Sequence, residues 1–505
     1  MKYLFILGMS LFLVSSTILC DTYAPLVPID TLSVSPPAYD FLFYGGYLYT
    51  SNREAIGIYD TLSDVPILKS TLAMPNPTTL IPRLYRWKNQ LIVPYYTDWN
   101  NNGVYFFDLT NPIQPTLIYH FNHEIIYEET QIRGFAVSGF PSNYSMGRCD
   151  VGKDYIVCPW DLLDDNPLST NYYYVTPLAF HFPDYKTTVI RVSLPDVECG
   201  DDSPLSQLNL IFLQDRFLWA WGSAYCDVQY ATIDEAYQNQ EEYAFSCRFC
   251  DYIYYDYQYV SNTSQNYKQW LITQYYNELI QTDTEDYIWP VGKPIEFPPG
   301  MCQRIDIQEL YGHENWIYGT EYGCGNHLLN FDPTIPWDVV PIVGLNDLAT
   351  TPYALKVINN ILYVAGETSI YRFEPVGKDI SKPKSTIHVS YENDIVHFWG
   401  SASDDDGVKG VYIRIGDTMM IAEEFAEDDN VFDSSRHHTR PFEGPSSWKI
   451  DLDTSTLEPG VYNVKTIAVD WEGSFSVIDE REIEIGTGLF GSNHAPVKLE
   501  KRIAD

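Results

Sequence analysis

Two acidic clusters, Asp404, Asp405 and Asp406 in one segment and Asp470 with Glu472 in another, have the residue types and spacing best suited to chemistry. Hard cations take about six to eight oxygens, several of them charged, so these carboxylates brought to one end of a fold would suit Ca²⁺. An Asp-rich turn ending at Gly407 is the competing reading and needs no ion. Asp154, Asp215 and Glu314 form a second set, each beside a short turn between apolar runs. Facing one pocket they would serve as general acid and base; turned outward they would only be solvated. The stretch DWNNNG, Asp98 to Gly103, opens like a calcium loop, but Leu109 stands where the closing glutamate belongs, which leaves an Asn- and Gly-rich hairpin. His437 and His438 fall in an acidic surface turn. No G-x-S-x-G, H-E-x-x-H or phosphate-binding loop occurs anywhere in the chain.

Of nine cysteines, Cys20 stands apart; Cys149, Cys158, Cys199, Cys226, Cys247, Cys250, Cys302 and Cys324 lie together in the middle of the sequence. An even number in an exported chain reads as a disulfide framework whose pairing stays open. Cys247 and Cys250 form a C-x-x-C, but a zinc ribbon needs a second knuckle and a redox dithiol an alternating strand and helix pattern, and neither is present.

The elements that carry these residues recur. An apolar run, two turn-forming residues and another apolar run appear around Gly45-Gly46, Lys88-Asn89, Lys153-Asp154, Asp215-Arg216, Glu314-Asn315 and Asn359-Asn360. Such spacing predicts six tight hairpins. Several are followed by a third strand ending in an acid and a proline-containing connection into a fourth, as in IGIYDTLSDVPILKSTL, GVYFFDLTNPIQPTLIYHF and HLLNFDPTIPWDVVPI. Asp60, Asp108 and Asp332 are read here as turn caps. Four antiparallel strands per unit, repeated radially, predict an all-β fold: a six-bladed β-propeller over residues 21–378. The sixth unit stops at Glu374-Pro375, and Ala24 to Pro36 reads as an orphan fourth strand that completes the last blade.

The units GIYDTLSDVPILKSTL and GVYFFDLTNPIQPTLI resemble the LVIVD-repeat β-propellers, in which an aliphatic strand ends in Asp before a short Pro-containing turn. The resemblance implies an exported or surface binding scaffold and no particular reaction. Residues 226–302 break the register as a Tyr- and Cys-rich insertion. Within it Trp270, Leu271, Tyr275 and Leu279 fall at helical spacing, which predicts a helix from Gln265 to Gln281. Its tyrosines are either a binding surface or buried packing. Asn143 and Asn262 begin N-x-S/T sequons.

After PVGKDISKPKS, long alternating strands over 379–487 predict a β-sandwich, with Trp399 and Trp448 in its core. The segments SASDDDGVKGVYIRIGD and WKIDLDTSTLEPGVYNVKTIAVDWEGS resemble bacterial Ig-like domains, and Tyr462 in LEPGVY matches their tyrosine corner. That resemblance implies a spacer or stabiliser, in some members with bound calcium. Residues 488–505 form a tail.

Residues 1–20 read as a secretory signal peptide, with one lysine, an apolar core and then Asp21. A lipid anchor at Cys20 is the alternative, although Thr17 and Leu19 suit a lipobox poorly. No second apolar segment is long enough to span a membrane. The composition, 45% hydrophobic and 15% aromatic, supports sizeable cores, and a net charge of −37 repels nucleic acid and anionic lipid. These features predict a secreted or cell-surface, non-catalytic binding or adhesion protein with a protein or carbohydrate ligand. An extracellular hydrolase or lyase working at the central face of the propeller is the alternative.

Overall fold

Apolar alternation broken by two-residue turns dictates antiparallel hairpins, and a computed structural model of the chain forms all six. It describes residues 26–501 apart from 76–82, 123–131, 136–149, 163–173, 194–207, 228–242, 248–256, 283–292, 297–306, 332–339, 377–381, 422–445, 486–498 and loop stretches of four residues or fewer. Among the described residues the regular elements are β-strands, with no α-helix. Two compact units emerge: one from 1–35, 257–357 and 361–378, the other from 36–256, 358–360 and 379–505.

In the second unit the first repeat is a four-stranded meander of Asp40–Tyr44, Tyr47–Ser51, Ala55–Asp60 and Ile67–Ala73. Its opening hairpin turns on Gly45 and Gly46, at φ 53° and 85°, the left-handed geometry that a two-residue turn needs and glycine supplies without strain. The strand Tyr47–Ser51 is buried along its whole length. The second repeat, Tyr85–Trp87, Gln90–Asp98, Asn101–Asp108 and Thr116–Asn122, has the same order, and DWNNNG is the hairpin between its middle strands, with Asp98 opposite Asn101. Phe106 and Phe121 from this sheet pack with Ile156, Cys158 and Phe180 of the third repeat in one core. That third sheet gains a fifth strand, Ile132–Phe135. In the fourth repeat Leu213 pairs with Arg216, so Arg216 belongs to the second strand and not to the turn where the sequence pattern put it.

The first unit holds the fifth and sixth repeats. Trp316–Glu321, His327–Phe331 and their neighbours form the fifth meander, but its outer strands also pair with the insertion, and eight strands close on themselves. The expected helix at 265–281 is replaced by two antiparallel strands, Lys268–Thr273 and Glu278–Thr282, with Leu271 opposite Ile280. Short runs rich in Ile, Thr and Tyr satisfy helical spacing by chance, and here strand propensity prevails. The sixth sheet is completed by the N-terminal strand Pro28–Ser33, which pairs antiparallel with Ser369–Phe373. Leu26 is tied down beside it by both polar atoms of the Asn346 side chain, at 2.8 and 2.9 Å.

One irregularity identifies this strand as the missing fourth member. In the first sheet Tyr59 pairs with Leu68 and Ile58 with Ser70, so Lys69 is bulged out. The second sheet bulges at Ile118 and the fifth at Val343, each opposite the residue pair that precedes the turn acid. The N-terminal strand does the same: Phe373 pairs with Pro28 and Arg372 with Asp30, which leaves Ile29 as the extra residue. A bulge bends an outer strand and spoils the flat edge that another chain would pair with.

Residues 384–485 fold as two antiparallel sheets around one core that includes Phe398, Val411, Trp448, Ile450 and Val464. Trp448 is buried and donates its indole N–H to Ser385 Oγ at 3.0 Å. Trp399 is not in this core. It lies 39% exposed, because Phe398 takes the inward position and the two-residue period turns its neighbour outward. Tyr462 Oη donates to the Glu458 carbonyl at 2.6 Å, the hydrogen bond expected of a tyrosine corner.

Candidate functional site

The second unit is organised around the turn acid of its first repeat. Asp60 ends a strand, and its Oδ1 accepts the Leu62 N–H at 3.1 Å, the Asx-type contact that fixes the turn. Asp108 does the same for Thr110 at 3.0 Å. Asp60 carries a second load. Its Oδ2 meets Arg414 Nη2 at 3.1 Å and lies 3.7 Å from Lys69 Nζ, the residue that the bulge re-aims. Burial alone would raise the Asp60 carboxyl, but the Arg414 hydrogen bond, the Leu62 amide and the two cations outweigh it and hold it below the usual carboxylate value. The Arg414 guanidinium also lies 4.2 Å from the centroid of the Tyr47 ring, a cation–π contact.

Aromatic and sulfur contacts extend this junction between the first repeat and the C-terminal sheets. Phe43 stacks on Phe475 at 5.2 Å and Tyr44 meets Tyr412 edge-on at 5.5 Å. Met419 packs against Gly45, where an added Cβ would collide with its thioether, and its backbone N–H donates to the Thr110 carbonyl at 2.9 Å. The surface left by the first two hairpin repeats is therefore a docking seat already filled by Arg414, Met419 and Phe475. Sequence reasoning missed Arg414; a lone arginine on an apolar strand, GVYIRIG, was the available signal.

A stacked trio holds the second repeat. Tyr105 stacks on Tyr95 at 4.4 Å and on His120 at 4.3 Å, while Tyr95 Oη lies 2.8 Å from His120 Nε2. At Gly103 an added Cβ would collide with the Phe121 carbonyl oxygen and crowd the Tyr95 ring. Burial pushes the His120 imidazole below its ordinary value. The unfolded chain then binds its proton more readily than the folded one, so this stability is present above about pH 6.5 and is lost as pH falls from there toward the folded value. His120→Gln is expected to show a smaller drop in urea midpoint than the parent between about pH 7.5 and 5.5. Parallel declines in the two proteins would remove His120 from the acid response.

In the first unit, register places Glu321 opposite His327, and His327 opposite Asp347, as one row across three strands. His327 Nδ1 lies 3.1 Å from Asp347 Oδ1, and Nε2 lies 4.0 Å from the fully buried Glu321. At 4.0 Å the Glu321 carboxylate is beyond hydrogen-bond reach of the imidazole, so the row is an arrangement of ionisable groups without the contacts that proton transfer needs. The strands WIYGTE, HLLNF and VPIVGLND carry it, a signal readable only once the register is known.

Of the residues singled out for chemistry, Asp154, Asp215 and Glu314 lie outside the described residues, as do Asp332, Asp405, Asp406, Glu472 and His437 with His438. Of the described members, Asp404 follows the strand Ile395–Ser403, and Asp470 ends another strand directly opposite Val408. Among the described residues no group of three His, Cys, Asp or Glu side chains is set to hold a metal. Cys158 is fully buried and disulfide-bonded. Cys226 and Cys247 lie on strands, and Cys149, Cys199, Cys250, Cys302 and Cys324 outside the described residues. No described helix is long and apolar enough to cross a membrane.

These features define an all-β protein of repeated four-stranded meanders joined to a two-sheet C-terminal module. No protein-family model matches the chain, and no curated protein matches it in sequence. Similar solved structures include YCF48 bound to D1 peptide (TM-score 0.42, 9% identity, 71% of this chain and 100% of that one). The Neurospora crassa Pan2 WD40 domain (0.41, 9%, 69% and 92%) and Kluyveromyces lactis Hsv2 (0.38, 9%, 74% and 95%) are others.

Proposed function

We propose that the chain is a secreted or cell-surface, non-catalytic binding protein: a six-bladed β-propeller of LVIVD-like repeats whose last blade is completed by the N-terminal strand, followed by an Ig-like sandwich. The observation that carries this reading is the recurrence of one bulge in four outer strands, the N-terminal one included, since a shared irregularity marks copies of one unit. The turn acids are engaged in capping and in the Arg414 pair, which is work for a scaffold. Its ligand is a protein or a carbohydrate, and calcium at the Asp404–Asp406 and Asp470–Glu472 loops would stiffen the sandwich.

The alternative, an extracellular hydrolase or lyase, draws on the row of Glu321, His327 and Asp347. Assays on the full chain separate the two. Saturable binding on glycan arrays or cell-envelope preparations, with no turnover of ester, glycoside, peptide or phosphoester substrates, is the expected result. Turnover that disappears in Glu321→Gln and His327→Ala would replace the binding reading with the enzymatic one.

A further inference from the structure

The fourth repeat closes its sheet on very little ladder. Its outer strand, Ser246–Cys247, has two residues, where the outer strands of the first, second and fifth repeats have seven, seven and eight. The connection that leads to it is also longer: residues 228–245 separate it from the third strand, against 61–66 in the first repeat and 109–115 in the second. Tyr243–Ala244, just before it, adds only a two-residue parallel contact with Val192–Ser193. Closing a longer loop costs more chain entropy, and two ladder pairs leave less hydrogen bonding to offset it. The short strand is nevertheless in register beside Ala224–Asp227.

That register sets Cys226 directly opposite Cys247, and among the described ladders no other pair sets two cysteines opposite each other. Residues directly opposite in an antiparallel pair have Cα atoms about 4.5 or 5.5 Å apart, depending on whether the pair is hydrogen-bonded. Both spacings lie within the range of about 4.4–6.8 Å that a disulfide spans, so the backbone need not move to be bridged there. Cys158, in the third repeat, is disulfide-bonded, so a second cross-link asks for no chemistry that the chain lacks.

We propose that Cys226 and Cys247 are joined by a cross-strand disulfide that stands in for the missing length of the fourth repeat's outer strand. The link goes beyond the binding reading and rests only on its exported half, because an exported chain meets oxidants that a reducing cytosol removes. The oxidant is a protein or small-molecule disulfide. One cysteine thiolate attacks it, forms a mixed disulfide and releases one of its sulfurs as thiolate; the second cysteine thiolate then attacks the cysteine sulfur of that mixed disulfide and expels the other. Two electrons pass to the oxidant, and the two protons given up by the cysteines end on its thiols. The bond closes the loop from 226 to 247 in the unfolded chain as well, so that entropy no longer weighs against the short ladder.

Peptide mapping of the full chain without reduction, after alkylation under denaturing conditions, tests the pairing. The chain is expressed with residues 1–20 and collected from the medium. Trypsin with a glutamyl endopeptidase cuts after Arg216, Glu235, Glu242 and Arg248, which puts Cys226 in 217–235, Cys247 in 243–248 and Cys250 in a separate peptide. Peptide 243–248, YAFSCR, is expected only in a linked pair with 217–235, which reduction splits in two. Its linkage to a peptide carrying Cys158, Cys250 or another cysteine, or its recovery alkylated, overturns the proposal; in chain collected from the medium that result leaves the exported reading standing. Chain that stays inside the cell with both thiols alkylated overturns the two together. The paired change Cys226→Ala with Cys247→Ala is expected to lower the thermal midpoint by several degrees, and an unchanged midpoint overturns the stand-in role.

Discussion

Replacing Arg414 with alanine is expected to lower the stability of the second unit by about 2–4 kcal/mol, because removal of one partner leaves a part-buried carboxylate without its main cation. The Arg414 and Asp60 side chains are only 10% and 15% exposed, so water can replace little of the lost interaction. Lys69 remains, but at 3.7 Å from an ammonium that is 40% exposed. The stacked pairs Phe43–Phe475 and Tyr44–Tyr412 would persist, and the loss should appear as an earlier urea transition rather than as failure to fold. The paired change Arg414→Met with Asp60→Asn is expected to recover most of the loss, since exchanging both charges for neutral groups of similar shape removes the desolvation cost along with the attraction. The parent also gains an acid limb from this pair: Asp60 is held low when folded, so the stability is present above about pH 4 and fades as pH falls through the folded value. A single-variant cost below about 0.5 kcal/mol would place the junction's strength in its rings instead.

Deleting residues 26–33 is expected to have the larger effect. The strand supplies the outer ladder of the sixth sheet, places Leu26 in a core with Tyr318, Leu328 and Phe373, and sets Asp30 3.1 Å from Arg372, whose side chain is 3% exposed. Loss of these together exceeds about 4 kcal/mol by the measures for a buried ion pair and a core leucine, and it uncovers the edge of Ser369–Phe373. The truncated chain should aggregate or become protease-sensitive between residues 340 and 376. A synthetic peptide of residues 24–35 added in trans should restore protection, as strand addition does elsewhere. Wild-type protease resistance in the truncated protein would show that the strand is dispensable.

Much of this architecture was legible because turn chemistry is local. Gly45-Gly46 and Asn359-Asn360 announce their hairpins through residues that tolerate positive φ, and those angles are present. Asp60 and Asp108 announced their caps in the same way. What escaped depended on register or on long-range partners. The bulges at Lys69, Ile118 and Ile29 leave no mark in composition, and Trp399 and Phe398 are equally apolar in print although only one can face inward. The helix expected at 265–281 failed because spacing over so short a span fits either period. Arg414 could be noticed on its strand but not joined to Asp60, which is 354 positions away.

The pairing of Asp30 with Arg372 across 342 positions has a consequence for biosynthesis. The strand finds its ladder only after some 342 further residues have been made, roughly twenty seconds to a minute later at ordinary elongation rates. Throughout that interval the segment has no native mate, and of the repeat sheets the one it completes is the last that can mature.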